Sequence, residues 1–220
     1  MPAPCRQVEH EAHDLGNALW CPGSGAREHH GMMVERDPAR AHLGGYLQGG
    51  DPDTYYPAMW DWLIDTWEVK SVIDIGCGDG KGALNYFIGR GVRALGIDGM
   101  PALHPRKVTH DFAESVFIPK DEFDLAWSAE FVEHVEERHM PNFMPCFGSA
   151  RFACITHGDP GQPGHHHVNN QTDDYWKGVF AAWGFEFDAG LTAMTRAAAS
   201  VNTRTFNHYR RSGLAFRRRS

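Results

Sequence analysis

The chain has 220 residues, 42% of them hydrophobic, so it is long enough to bury the core of one α/β domain with a small appendage. Its net charge of −7 disfavours a nucleic-acid partner, because such proteins normally present a basic face to phosphates. The five cysteines include no Cys-x-x-Cys pair, which argues against a disulfide framework or a structural zinc site.

The first part of the chain has no sustained hydrophobic period. Residues 1–40 are polar and mixed with Gly, Pro and His, which indicates a loosely ordered arm, and residues 44–52 are rich in turn-forming residues. The sequence has neither a secretory leader nor an apolar run of about 18 residues, so we expect a soluble, cytoplasmic protein without membrane partners. Residues 53–67 then show the apolar spacing of an amphipathic helix, which Asp53 or Thr54 could cap.

A short buried strand that runs into a glycine turn is the most informative stretch. Residues 72–75 are rich in β-branched side chains, and three glycines follow at alternate positions, Gly76, Gly78 and Gly80. Glycine permits positive φ and lets the backbone approach a ligand closely. Asp74 and Asp79 would repel a polyphosphate here but accept hydrogen bonds from an amine or a sugar hydroxyl. The spacing also differs from the Gly-x-Gly-x-x-Gly of dinucleotide-binding turns and from a Walker loop.

The next elements alternate between helix and strand. Residues 83–88 have an apolar helical face, and residues 92–97 predict a buried strand that ends at Asp98. Rossmann-like folds place an acidic residue at about this distance from the glycine turn, where it binds ribose hydroxyls. Further strands are predicted at residues 107–109 and 123–128.

Two carboxylates and an imidazole follow the fourth of these strands. Glu130, Glu133 and His134 stand at i, i+3 and i+4, so at the start of a helix all three would project from one face. We call them the acid–acid–histidine element. Such a set suits a hard divalent cation that tolerates nitrogen, such as Mg²⁺ or Mn²⁺.

A histidine-rich loop follows the fifth predicted strand, which ends at His157. The loop contains His165, His166 and His167, and in an extended segment at most two of these could face one site. In a doubly wound sheet the loop lies at the same edge as the glycine turn. Three interpretations remain open: completion of a metal site with the acid–acid–histidine element, a general base, or hydrogen-bonded loop residues.

The end of the chain completes the pattern. Residues 173–183 predict a helix with acidic residues in its first turn, and residues 185–188 a strand. An alanine-rich helix or loop at residues 191–202 precedes a last strand at residues 213–217.

The segment Asp74-Ile75-Gly76-Cys77-Gly78-Asp79-Gly80 resembles motif I of the class I S-adenosylmethionine (SAM)-dependent methyltransferases, and Asp98 fits the same family. The resemblance covers residues 53–220. It implies an α/β fold with a Rossmann-like, doubly wound sheet of seven strands, of which the last is antiparallel. An N-terminal extension over residues 1–52 would precede this domain and would contain a candidate lid loop over the cofactor. In this family an acidic residue at the position that Asp111 occupies here often binds the adenine amino group. The implied SAM-binding residues lie in the glycine turn and at the ends of neighbouring strands: Asp74, Gly76, Cys77, Gly78, Asp79, Gly80, Asp98, Gly99, Asp111, Phe112 and Ser128.

The Glu-x-x-Glu-His pattern resembles one shared by the ubiquinone-biosynthesis O-methyltransferases and the small-RNA 3′-end 2′-O-methyltransferases, where it holds a metal that binds the target hydroxyls. The implied metal ligands are Glu130, Glu133, His134 and, from the loop, His166. Many class I enzymes carry similar residues without a metal, and there Glu133 and His134 cap the helix and pack beside the cofactor. In that case the candidates for acid–base catalysis are Glu130, His157, His165, His166 and His167.

The sequence therefore predicts a SAM-dependent methyltransferase (EC 2.1.1.-) that acts on a hydroxyl of a small molecule, a sugar or a phenol. Either a divalent metal or a histidine base would handle the hydroxyl proton. Two alternatives remain: a SAM- or nucleoside-binding protein without catalysis, and a metal-dependent hydrolase that uses the histidine loop.

Overall fold

The computed structural model describes residues 33–34, 38–43, 46–47, 51–101, 104–201 and 207–219. The predicted arm and lid loop therefore lie largely outside the described residues. In the N-terminal part, β1 (Met33–Val34) pairs antiparallel with β2 (Tyr46–Leu47), and a 3-10 helix spans Pro38–Leu43 between them.

A seven-stranded sheet forms the centre of the described part of the chain. Its strands are β3 (Ser71–Ile75), β4 (Arg93–Asp98), β5 (Lys107–Thr109), β6 (Phe123–Ser128), β7 (Ala150–Ile155), β8 (Phe185–Phe187) and β9 (Leu214–Arg218). The order across the sheet is β5-β4-β3-β6-β7-β9-β8. Strands β3 to β7 run parallel, and β9 is antiparallel to β7 and β8, which confirms the predicted fold. The strand order reverses between β3 and β6, where sheets of this kind bind ligands.

Helices cover both faces of the sheet. Their bounds are α1 (Pro57–Trp67), α2 (Ala83–Gly89), α3 (Met140–Gly148), α4 (Asp173–Ala182), α5 (Ala189–Ala199) and α6 (His208–Ser212). One core cluster joins the strands to Phe143 of α3 and Phe180 of α4. The other joins them to Trp60 of α1, Phe87 of α2 and Tyr209 of α6. This two-sided burial explains why the parallel strands are nearly continuous apolar runs.

Helix α1 begins later than the candidate capping residues Asp53 and Thr54 predicted. Pro57 occupies its first turn, where a missing N–H costs nothing, and no side chain caps it. Asp51 instead accepts a hydrogen bond from Asp53 N at 2.8 Å and caps the 3-10 turn Pro52–Thr54. None of the helices in the described part of the chain has the length and apolar character needed to cross a bilayer.

Candidate functional site

The glycine turn follows β3 at the carboxyl edge of the sheet. Gly76, Gly78 and Gly80 have φ of +78°, +58° and +83°, conformations that L side chains rarely adopt. Gly76 N donates a hydrogen bond to Ile97 O at 2.9 Å, which ties the turn to the end of β4. A Cβ at Gly76 would lie 2.6 Å from the Phe131 side chain. The turn therefore needs glycine at position 76 for both conformation and space.

We expect Gly76→Ala to lower the free energy of unfolding by roughly 2–4 kcal/mol, because left-handed strain and overpacking against Phe131 add together. Urea unfolding measures the difference. Gly178→Ala is the matched control, since Gly178 lies inside α4 and no described atom lies within 4 Å of its added Cβ. That change should stabilise the protein by roughly 0.5–1 kcal/mol. Equal effects of the two changes would contradict this account of the turn.

Two buried carboxyl groups lie beneath the turn. Asp98 accepts hydrogen bonds from Gly78 N at 2.9 Å and from Met100 N at 2.7 Å. Burial raises the pKa of Asp98 to about 6. Burial also raises the pKa of Asp74 to about 8, and the Asp98 charge adds to this rise. A cation or a hydroxyl donor bound in this crevice would favour the ionised form of both groups.

Several other predicted cofactor-binding residues contact the protein itself. Ser128 Oγ donates to Ile75 O at 2.9 Å and so joins the ends of β6 and β3. Phe112 is buried in the core. Asp79 pairs with Lys81 at 3.0 Å. Cys77 is largely buried, which raises the pKa of its thiol well above the usual value.

The 3-10 helix at Pro38–Leu43 packs on two of the predicted cofactor-binding residues. Asp111 Oδ2 lies 2.5 Å from Arg40 Nη2 and 2.8 Å from His42 Nε2. Burial opposes ionisation of Asp111, but these hydrogen bonds outweigh it and lower its pKa. A Cβ at Gly99 would lie 2.4 Å from Leu43 Cδ2, so Leu43 covers this glycine directly. No local pattern in the sequence indicates these contacts, because the partners lie far apart in the chain.

The prediction that the acid–acid–histidine element starts a helix is wrong. Glu130 has φ of +51°, and Val132–His134 forms only a 3-10 turn. Glu130 N donates to Thr156 Oγ1 at 2.8 Å, and Thr156 Oγ1 donates to Glu130 Oε1 at 2.9 Å. These tertiary bonds from the residue after β7 hold Glu130 in the left-handed region, which a regular helix excludes.

Three residues nevertheless bring metal-ligating atoms together. Glu133, His134 and His167 each offer a donor atom, and these atoms lie within 4.8 Å of one another. We call them the donor cluster. The rings of His134 and His167 lie 4.9 Å apart at 87°. Both Glu133 carboxylate oxygens and the Nδ1 atoms of both histidines are buried without a hydrogen-bond partner among the described residues. Buried polar groups are nearly always bonded, so this set of donor atoms fits a metal ion.

The protonation states of the donor cluster follow from burial. Burial and the neighbouring Glu130 charge raise the pKa of Glu133 well above its usual value. Burial lowers the pKa of His134 to about 4, and His167 adds to this effect. His134 is therefore already in the neutral form that a metal needs, whereas Glu133 would release a proton on metal binding.

The other histidines predicted to bind a metal or to act as a base lie outside the donor cluster. His166 has φ of +50°, which breaks the two-residue alternation assumed for an extended loop, and its ring lies 6.4 Å from that of His42. It is not in the donor cluster, and His167 takes that place. His165 Nε2 is buried and has no partner among the described residues. His157 is buried, with Nε2 at 3.0 Å from Asp173 Oδ1 and Nδ1 at 3.3 Å from Gly158 O.

His208 is a residue of the site that the sequence did not reveal. Its Nδ1 lies 3.0 Å from Glu130 Oε1, and its Nε2 lies 3.4 Å from Asp51 Oδ2. Burial alone would lower the pKa of His208, but hydrogen bonds to these carboxylates outweigh it and raise the pKa to about 10. The ring is therefore a cation between two acids.

Comparisons with known proteins agree with the fold. Residues 61–151 match a family model described as a methyltransferase domain. A magnesium protoporphyrin IX methyltransferase from Synechocystis PCC 6803 with bound SAM is 16% identical, with a TM-score of 0.52, over 89% of this chain and 86% of that chain. A 1,6-didemethyltoxoflavin-N1-methyltransferase from Burkholderia thailandensis is 14% identical, with a TM-score of 0.50, over 74% and 77%. The methyltransferase domain of bacterial CtHen1-C is 14% identical, with a TM-score of 0.51, over 77% and 100%. No curated protein sequence matches the chain.

Proposed function

We propose that this chain is a class I SAM-dependent methyltransferase and that it transfers the methyl group of SAM to a hydroxyl of a small molecule with the help of a divalent cation. The observation that carries the proposal is the donor cluster of Glu133, His134 and His167, whose buried donor atoms have no partner among the described residues. The fold alone does not choose the acceptor atom, since its neighbours include an N1-methyltransferase.

The reaction asks little of the protein beyond alignment, exclusion of water and removal of one proton. The hydroxyl oxygen attacks the methyl carbon, the bond from that carbon to sulfur breaks, and S-adenosylhomocysteine leaves. A cation held by the donor cluster would lower the pKa of a bound hydroxyl. Burial disfavours ionisation of Glu130, but the hydrogen bond from His208 outweighs it and lowers its pKa, so this carboxylate is ionised and can accept the proton.

SAM would bind over the glycine turn. Each Asp98 carboxylate oxygen accepts one backbone hydrogen bond, and each has a second lone pair for a ribose hydroxyl. Asp111 is more fully occupied: Arg40 and His42 both lie on Oδ2, and Oδ1 accepts from Ala113 N, so one lone pair of this carboxylate remains. We therefore assign Asp111 to anchoring the Pro38–Leu43 segment as a lid over the cofactor, in place of the adenine contact implied by resemblance. The lid is thus the segment just before the predicted loop at residues 44–52.

We expect Arg40→Ala to weaken SAM binding by roughly fivefold, because loss of the ion pair to Asp111 loosens the lid. Isothermal titration calorimetry measures the change. Arg106→Ala removes an exposed arginine outside the lid and should leave the affinity unchanged. If Asp111 bound the adenine amino group directly, removal of Arg40 would instead strengthen SAM binding.

A small substrate is supported by the distribution of charge. The basic run Arg217–Arg219 lies at the amino-terminal edge of the parallel strands, since Arg217 is the register partner of Phe152 near the start of β7. Arg217 also pairs with Asp188, and Arg218 lies 3.3 Å from Glu122. This run of three arginines is therefore remote from the glycine turn and partly neutralised. We propose a neutral hydroxylated substrate, a sugar or a phenol, in the cytoplasm.

Methyl transfer from isotopically labelled SAM to a panel of sugars, phenols and their amino analogues tests the proposal. The protein is stripped with a chelator and assayed with and without added Mn²⁺ or Mg²⁺. We expect label on a hydroxyl oxygen that requires the added cation. Equal transfer in the presence of the chelator would overturn the metal, and label found only on nitrogen would overturn the choice of acceptor.

A further inference from the structure

Glu130 is held in a conformation that it would not adopt by itself. Its φ of +51° is in the left-handed region, which costs a non-glycine residue roughly 1–2 kcal/mol. Such residues persist where the surrounding structure holds them, often at functional sites. The bond from Glu130 N to Thr156 Oγ1 fixes the backbone here. Glu130 lies three residues before Glu133 of the donor cluster, in the segment that joins β6 to the 3-10 turn Val132–His134.

Two polar side chains of the described part of the chain contact the same oxygen of the Glu130 carboxylate. Oε1 accepts from Thr156 Oγ1 at 2.9 Å and lies 3.0 Å from His208 Nδ1. A carboxylate oxygen has two lone pairs, so these contacts fill Oε1 and leave Oε2 for a further partner. The pair of contacts therefore sets the rotation of the carboxylate.

His208 is itself held from two sides. Its Nε2 lies 3.4 Å from Asp51 Oδ2, and its side chain is only 14% exposed. The next residue, Tyr209, is fully buried, and its backbone N donates to Tyr56 Oη at 3.2 Å. The Tyr209 ring stacks on Trp127 of β6 with centroids 5.5 Å apart. The backbone that carries the His208 side chain is therefore anchored to the core by the neighbouring Tyr209.

We propose that His208 is a positioning residue for methyl transfer: by spanning Asp51 and Glu130 it fixes Glu130 Oε1 and directs Oε2 toward the acceptor hydroxyl and its cation. This proposal rests on the proposed function. It also gives a role to the contact between the turn before α1 and the start of α6, which are remote in sequence and meet where Asp51 lies against His208.

A double-mutant cycle tests whether His208 acts through Glu130. We expect His208→Ala to lower kcat and the affinity for Mn²⁺ by about 10- to 100-fold, as loss of a side chain that orients the groups around a metal does, and to leave SAM affinity within about twofold. In the Glu130→Gln background the same change should have almost no further effect on Mn²⁺ affinity. His208→Gln keeps an N–H donor for Glu130 and should recover part of the loss. Arg210→Ala, an exposed change on the same helix, is the control.

Equal losses of Mn²⁺ affinity from His208→Ala in the unaltered protein and in the Glu130→Gln variant would show a merely structural role and overturn the proposal. A His208→Ala variant with unchanged kcat and Mn²⁺ affinity would also overturn it. Mn²⁺ affinity is measured by calorimetry without SAM or acceptor, so the cycle can be read even if no acceptor is methylated. Absence of methyl transfer by the unaltered protein would instead overturn the proposed function. The two failures are therefore distinguishable.

Discussion

Asp98→Ala is expected to weaken SAM binding by at least roughly 100-fold. The change removes the acceptor for the ribose hydroxyls, and it also removes the bonds that Asp98 makes with Gly78 N and Met100 N. Hydrogen bonds to a charged group contribute about 1.5–3 kcal/mol each, so loss of one or two accounts for this magnitude. Calorimetric titration with SAM measures it.

Asp174→Ala provides the control for this experiment, because Asp174 is 91% exposed on α4 and its pairing is with Lys177. Its SAM affinity should equal that of the unaltered protein. Urea unfolding of the Asp98→Ala variant checks that a folded protein was titrated. A folded variant with unchanged SAM affinity would show that the glycine turn is structural, as the hydrolase alternative requires.

Single substitutions in the donor cluster are expected to remove Mn²⁺ binding and cation-dependent transfer, with losses of at least roughly 100-fold for Glu133→Gln and His167→Ala. Each change deletes a ligand, and Glu133→Gln also removes the charge that attracts the cation. SAM affinity should change little, because the turn and Asp98 are untouched. Calorimetry with Mn²⁺ and with SAM separates the two effects.

His166→Ala is the matched control, since it alters a neighbouring loop histidine outside the donor cluster. We expect it to retain Mn²⁺ binding. The opposite pattern, loss with His166→Ala and retention with His167→Ala, would restore the ligand choice that the sequence pattern suggested and would contradict the geometry of the loop.

The sheet could be predicted from the sequence because its signals are local. Each buried strand is a short, mostly apolar run, and the turn at Gly76 combines three alternate glycines with two acidic residues. Asp98 followed from its spacing alone. Resemblance supplied what local patterns do not, namely the reversed β9.

The details of the site could not be predicted, because tertiary contacts decide them. The i, i+3, i+4 spacing of Glu130, Glu133 and His134 is compatible with a helix, but the bonds from Thr156 select a left-handed residue instead. The alternation of side chains in the histidine loop fails at His166 for the same kind of reason, a positive φ.

Two sets of contacts at the site come from segments that contain no recognisable motif. Arg40 and His42 reach Asp111 across about a third of the chain, and His208 reaches Glu130 from the C-terminal helix. In each case the fold brings together side chains that are distant in the sequence. Isolated charged residues outside a recognisable motif cannot be identified as site residues from the sequence alone.

Binding of the sulfonium donor to the described crevice is the claim on which everything else depends. Calorimetric titration of the unaltered protein with SAM and with S-adenosylhomocysteine tests it most directly. We expect one site per chain with a dissociation constant on the order of micromolar for both ligands. Absence of binding heat at several temperatures, with a protein that unfolds cooperatively, would contradict the account.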